Sequence, residues 1–156
     1  MEENTLLKGW FVIDRFDKQG NLIESVETPN ATMNLGFKEV AQLIGTDTTS
    51  AATAFDFIAV GTGTTAATAT DTTLETEITE NGLTRAAGTG TNTTDSVALD
   101  QFSLVKSFSP TSSYAVTESG VLNDGSTGEL LCHQTFSAIN VTNGDTLTIT
   151  WKITVS

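Results

Sequence analysis

The segment from Phe55 to Ile78, FDFIAVGTGTTAATATDTTLETEI, contains the first spacing that suggests chemistry. Its residues 61–66, GTGTTA, match the G-x-G-x-x-G/A pattern that cradles the pyrophosphate in dinucleotide-binding folds. That cradle needs a helix directly after the glycines, because amides at the helix N-terminus hold the phosphates. The following TTAATATD has no apolar stripe of helical period. We therefore predict no cofactor, and Gly61 and Gly63 are interpreted as a turn that ends a buried strand.

Cys132 and His133 form a second candidate, since a thiolate and an imidazole together can act as a nucleophile and its base. His133 is the only histidine of the chain, and no G-x-S-x-G signature is present. Adjacent side chains of a strand point to opposite faces, so these two cannot contact each other there. We predict no catalytic residues, with Cys132 in the core and His133 on the surface.

Acidic residues provide a third candidate, because hard cations such as Ca²⁺ take oxygen ligands. The segment DGSTGE is a fragment of a calcium loop that lacks its alternating acids. A solvated turn is the better interpretation, and we predict no metal site. The carboxylates considered are Asp71, Glu75, Glu77, Asp124 and Glu129.

The elements that must position these residues are predicted to be strands. Threonine, which is β-branched and suits a pleated surface, makes up about a fifth of the 156 residues. Residues 10–16 and 22–27 form a predicted hairpin around the turn DKQGN. In the last segment, Leu147 to Val155 alternate with polar residues, which places Trp151 on the buried face. The fold class expected is mainly β, an antiparallel β-sandwich in a single domain over 1–156.

Three local features complete the prediction. One short α-helix near the N-terminus is expected from apolar residues at helical spacing, and a flexible arm over 1–8 precedes the sandwich. The form Thr72-x-x-Glu75 predicts a single helical turn. Residues 88–96, GTGTNTTDS, are expected to form a flexible tip. The predicted helix is carried by Met33, Phe37, Val40, Ala41 and Ile44.

The net charge of the chain limits the classes of partner that it can bind. Nineteen acidic residues stand against seven basic ones, a formal net charge of −12. Such a surface repels nucleic acid and anionic lipid, so we expect neither as a partner. The N-terminus lacks the features of a secretory signal, and no segment has the apolar length of a membrane span. We expect folding in a cytosol.

Several phrases, taken in order, carry a family resemblance. They are NATMNLG (30–36), FIAVGTGTTAATATDTTLETEI, VTESGVLNDGSTGELLCHQTFSAINV and the closing GDTLTITWKITVS. This succession, which spans most of the chain, resembles tailed-bacteriophage virion proteins labelled tail-fibre-like, minor structural or capsid-decorating. The resemblance implies a non-enzymatic structural protein, assembled in the host cytoplasm and located on the virion, with no catalytic residues to carry over.

Among such roles, the length favours a capsid decoration protein, because a compact domain without shaft or repeats can attach to a preformed lattice. A tail-fibre or tail-tip component is the alternative, and a carbohydrate-binding β-sandwich is a further one. The expected partners are the major capsid protein and other copies of the chain, as a homotrimer. The N-terminal segment with Leu6, Leu7, Trp10 and Phe11 is the candidate docking surface. Equally, Trp10 and Phe11 can belong to the core.

Overall fold

A computed structural model describes residues 7–34, 36, 53–95 and 100–155 of the chain. This part of the chain contains ten strands. They are β1 (Leu7–Phe16), β2 (Leu22–Pro29), β3 (Ala31–Thr32), β4 (Phe57–Gly61), β5 (Ala86–Ala87), β6 (Thr89–Thr93), β7 (Gln101–Phe108), β8 (Tyr114–Leu122), β9 (Leu130–Val141) and β10 (Thr146–Val155).

The strands form two five-stranded sheets. The first sheet has the order β2-β1-β10-β7-β6 and the second the order β3-β9-β8-β4-β5. Every pairing is antiparallel, including the hairpin of β1 with β2. The mainly β, antiparallel sandwich predicted from the sequence is therefore confirmed.

The main core lies between the two sheets and is centred on Trp151. This side chain is fully buried, and its ring centroid lies 4.7 Å from that of Phe11 in the neighbouring strand. Its indole Nε1 donates a hydrogen bond of 3.3 Å to Ser119 Oγ in the second sheet. Ser119 Oγ in turn donates to the carbonyl oxygen of Ala59 at 2.8 Å. The predicted parity of the last strand is confirmed, and the buried polar atoms link the sheets.

A second apolar cluster lies on the opposite face of the second sheet. In β4, Ile58 and Val60 belong to the main core, whereas Ala59 between them belongs to the other cluster. Because side chains alternate across a strand, Ala59 faces the outer side of the sheet. The connection between β4 and β5 crosses that side and buries Leu74 there. The second sheet is thus covered on both faces. The cluster contains Met33, Ala59, Leu74, Leu122 and Leu130.

Two local predictions are wrong. The expected flexible tip contains β6, which pairs with β7 and so has a ladder of backbone hydrogen bonds to hold it. The expected helical turn after Thr72 is absent, because the backbone amides of Glu75 and Thr76 donate to a side chain of β8 instead of forming helical bonds.

The structure describes only some of the residues for which a helix and a flexible arm were predicted near the N-terminus. Most of the residues that carry the predicted short helix lie outside the described residues, namely Phe37, Val40, Ala41 and Ile44. Of its members only Met33 is described, and it is buried in the second cluster. The first strand begins at Leu7, inside the arm expected over 1–8.

Substituting Trp151 tests the core directly. We expect Trp151→Ala to lower the free energy of unfolding by about 3–5 kcal/mol, because a large cavity forms and Ser119 loses a hydrogen-bond partner. Urea denaturation measures the loss. In a Trp10→Phe background, which leaves Trp151 as the single indole, acrylamide should quench its fluorescence poorly. Quenching as efficient as for free indole would contradict the packing.

Candidate functional site

A carboxylate lies in the middle of β8, on the outer face of the second sheet. Glu118 is fully buried, although the strand around it is otherwise apolar or small. Burying an ionised group costs several kcal/mol unless hydrogen bonds or opposite charges replace the lost water. The surroundings of Glu118 must therefore supply donors.

Three backbone amides of the β4–β5 connection supply them. The amides of Gly63 and Thr76 donate to Glu118 Oε1 at 2.9 and 2.7 Å, and the amide of Glu75 donates to Oε2 at 2.9 Å. Such charge-assisted bonds are stronger than bonds between neutral groups. The connection is thereby bonded to β8 at Gly63 and at residues 75–76, which are separated in sequence but adjacent in space.

The glycine spacing is explained by this carboxylate. A Cβ added to Gly63 would lie 2.6 Å from Glu118 Oε1, and one added to Gly61 would also collide with that oxygen. Only glycine leaves enough room for the carboxylate to approach the backbone. The G-x-G sequence does cradle an anion, but the anion is a side chain of the same protein. The turn predicted from the sequence is thus also an anion-binding loop.

His133 completes the site from β9. Its position opposite Gly120 of β8 places it on the outer face, beneath the connection, with an exposed fraction of 2%. Its Nε2 lies 3.0 Å from Glu118 Oε2, and its Nδ1 lies 2.8 Å from Asp71 Oδ2. The prediction of a surface histidine is therefore wrong. The sequence pattern indicated correctly that the side chain leaves the main core, but not that a loop covers it.

The geometry favours a protonated imidazole. A neutral ring has one N–H and one lone pair, so it could donate to only one of the two carboxylates. Burial alone lowers the pKa of His133, but the hydrogen bonds and charges of Glu118 and Asp71 outweigh burial and raise that pKa above its usual value. The site therefore holds an imidazolium between two carboxylates below pH 6.5, and the raised pKa extends this state to higher pH.

Both carboxylates are held ionised. Burial raises the pKa of Glu118, but the bonds from His133 and the three amides outweigh this effect and leave that pKa below its usual value. Burial acts in the same direction on Asp71, and the bonds from Thr68 and His133 again lower its pKa overall. We name the contacts of Asp71, His133 and Glu118 the clasp, since they join the connection to β8 and β9.

The clasp is not arranged for nucleophilic catalysis. In a catalytic triad one imidazole nitrogen faces a nucleophile, whereas here each nitrogen faces a carboxylate. Cys132 is fully buried, and burial raises the pKa of its thiol to about 12, which keeps it protonated. It belongs to the main core, as predicted, while His133 lies on the other face.

The carboxylates of Glu75, Asp124 and Glu77 are engaged in local structure. Glu75 accepts from the amides of Thr64 and Thr65, Asp124 accepts from the amides of a tight turn, and Glu77 forms a bidentate pair with Arg85. The backbone amide of Glu129 donates to Asn123 Oδ1 at the base of that turn. Within the described residues, no group of three or more ligand side chains is placed to hold a metal ion.

Two of the predicted docking residues, Trp10 and Phe11, lie on opposite faces of β1. Phe11 is fully buried in the main core, while Trp10 is 47% exposed on the opposite face of β1. Leu7 begins the strand and pairs with Val155, and Leu6 lies outside the described residues. The two aromatic residues thus have different environments, and only Trp10 is available to a partner.

Comparisons with protein-family models, with curated proteins and with solved structures gave no match. Among the described residues, no helix is long and apolar enough to cross a membrane. What the site can do chemically therefore has to follow from its own geometry.

Replacing Glu118 tests its role as an anchor. We expect Glu118→Gln to lower the free energy of unfolding by about 3–5 kcal/mol, because the imidazolium loses its charge partner and the new NH₂ group faces a donor. Urea denaturation measures the change. The matched control is Glu27→Gln on the exposed side of β2, which should change stability by about 0.5 kcal/mol or less. Equal effects of the two substitutions would show that Glu118 is no anchor.

The clasp also predicts a pH optimum of stability. Because folding raises the pKa of His133, its contribution is complete below its unfolded value of 6.5 and is lost as pH rises through the folded pKa. Because folding lowers the pKa of Glu118, its contribution is complete above 4.5 and is lost as pH falls through the folded pKa. We expect the clasp to contribute most between these values.

Thermal unfolding over pH 3–9 measures this profile. His133→Gln should remove the fall on the alkaline side that is due to the clasp. An alkaline fall of equal size in that variant would assign it to another group.

Proposed function

We propose that this chain is a non-enzymatic virion structural protein that binds the outer surface of a phage head as a capsid decoration protein. The observation that carries the proposal is that the segments with the family resemblance contain the residues of the clasp. The phrase FIAVGTGTTAATATDTTLETEI contains the glycine loop and Asp71, and the phrase beginning VTESG contains Glu118 and His133. The phrases that resemble virion proteins are therefore those that build the clasp.

A structural role fits the chemistry of that site. Its three ionised groups bond to one another, and among the described residues the imidazole has no nitrogen left to act as a free base. Their contacts hold a long irregular connection against a sheet. A protein that must keep one shape on the outside of a particle benefits from such rigid loops, whereas an enzyme needs reactive groups that face its substrate.

The proposed docking residue is Trp10. It lies on the outer face of the first sheet, opposite Lys152 of β10 and two residues from Lys8 on the same face. Tryptophan is enriched among the residues that dominate the binding energy at the centres of interfaces. In a chain of net charge −12, this arrangement offers an acidic surface of the major capsid protein both apolar area and opposite charge. Attachment as a homotrimer at the three-fold positions of the shell would repeat each contact.

Co-sedimentation with capsids that lack the protein tests the proposal. We expect Trp10→Ala to weaken binding at least tenfold, because the exposed indole is lost while the buried core remains intact. The matched control is Leu22→Ala, which removes another exposed apolar side chain, 56% exposed, at the far end of the β1–β2 hairpin. The control should bind like the wild type.

Two results would contradict the proposal. Full occupancy of capsids by Trp10→Ala would exclude Trp10 as the docking residue. Binding of the wild type to purified tails and not to heads would exclude decoration and support the tail-fibre or tail-tip alternative.

A further inference from the structure

Among the described residues, the outer part of the β4–β5 connection makes few contacts. Residues 64 and 65 are bonded to Glu75, which is itself tied to Glu118, so this base of the connection is fixed. Between them, residues 66–73 are exposed or half-buried. This outer segment meets the second sheet through Asp71 and His133, and a backbone bond of 3.0 Å joins the Asn34 amide to the Ala69 carbonyl. Segments with so little buried area open at low free-energy cost.

The two ends of the imidazolium are not equivalent. Glu118 is fully buried, so water cannot replace His133 as its partner. The Asp71 side chain is 25% exposed and borders an open cleft of about 530 Å³, so water can solvate it. If the ring loses one proton, keeping Nε2–H on Glu118 and releasing Nδ1–H costs less. The Nδ1 lone pair then faces the Asp71 carboxylate, and the contact becomes repulsive.

We propose that the Asp71–His133 contact is a proton-operated latch. When Nδ1–H passes to water or hydroxide, residues 66–73 leave the outer face of the second sheet and widen the cleft, while Glu118 keeps Gly63 and Thr76 in place. The latch is a property of the fold and does not depend on the proposed role on a virion.

Within the described part of the chain, the charged groups around the ring support this direction of switching. Asp71 and Glu75 face it from the connection and Glu118 from β8, and all three are acidic. Its strand neighbours, Ala31 of β3 and Gly120 of β8, carry no charge. Loss of the proton therefore leaves acidic groups without a cation between them, and their repulsion favours opening. The raised pKa of His133 places the switch on the alkaline side of 6.5.

Hydrogen exchange followed by NMR tests the latch in the unmodified protein. Because His133 is the only histidine, its ring signals report the titration without ambiguity. The Asn34 amide, which is bonded to Ala69, reports opening of the outer segment. Above the His133 midpoint its protection factor should fall by up to about tenfold per pH unit, as expected for release of one proton. The internal controls are the Gly63 and Thr76 amides, which should keep their protection.

Asp71→Asn provides a second measurement, since it removes the charge but keeps a hydrogen-bond acceptor. We expect the His133 midpoint to move to lower pH and Asn34 to keep its protection above that midpoint, because the new side-chain NH₂ group can donate to the Nδ1 lone pair. Constant protection of Asn34 through the titration of the unmodified protein would overturn the proposal. So would an equal loss at Gly63 and Thr76, because the whole connection would then be unfolding.

Discussion

The burial of the Glu118 carboxylate is the constraint on which the second half of the fold depends. A charge in the middle of a sheet face is tolerated only when its oxygens are fully bonded. Each oxygen of Glu118 accepts from the β4–β5 connection, and Oε2 also meets the imidazole of His133. The path of the connection, the two glycines at its start and the position of the histidine all follow from this requirement.

The same requirement explains why the connection has no helix where one was expected. The amides of Glu75 and Thr76 cannot bond to carbonyls one turn earlier while they donate to Glu118. The irregular backbone is therefore stable here, because the Glu118 side chain accepts the hydrogen bonds that backbone carbonyls would accept in a helix. Leu74 adds apolar contact with Leu122 and Leu130. An apolar side chain and two backbone amides of consecutive residues, 74–76, therefore hold the connection on the sheet.

The sequence predicted the features that depend on local pattern. Alternation identified the last strand and buried Trp151, and a turn signal identified the hairpin of β1 and β2. It missed the clasp because Gly63 and Glu118 are 55 residues apart, and no local pattern records which loop crosses which strand. The available signal was Glu118 itself, an acidic residue within a strand whose neighbours are mostly buried. The separation of Trp10 from Phe11 follows from alternation, but the buried side of β1 depends on its partner sheet.

Direct titration of Glu118 by carboxyl ¹³C NMR in the unmodified protein tests the central claim. A carboxylate that is merely buried has a pKa above the ordinary value of 4.5, because burial disfavours its charge. If Glu118 is the ionised anchor of the connection, its pKa lies below that value, because the three amides and the imidazolium outweigh burial. A pKa at or above 4.5 would contradict this role and would mean that the glycine loop does not bind an ionised carboxylate.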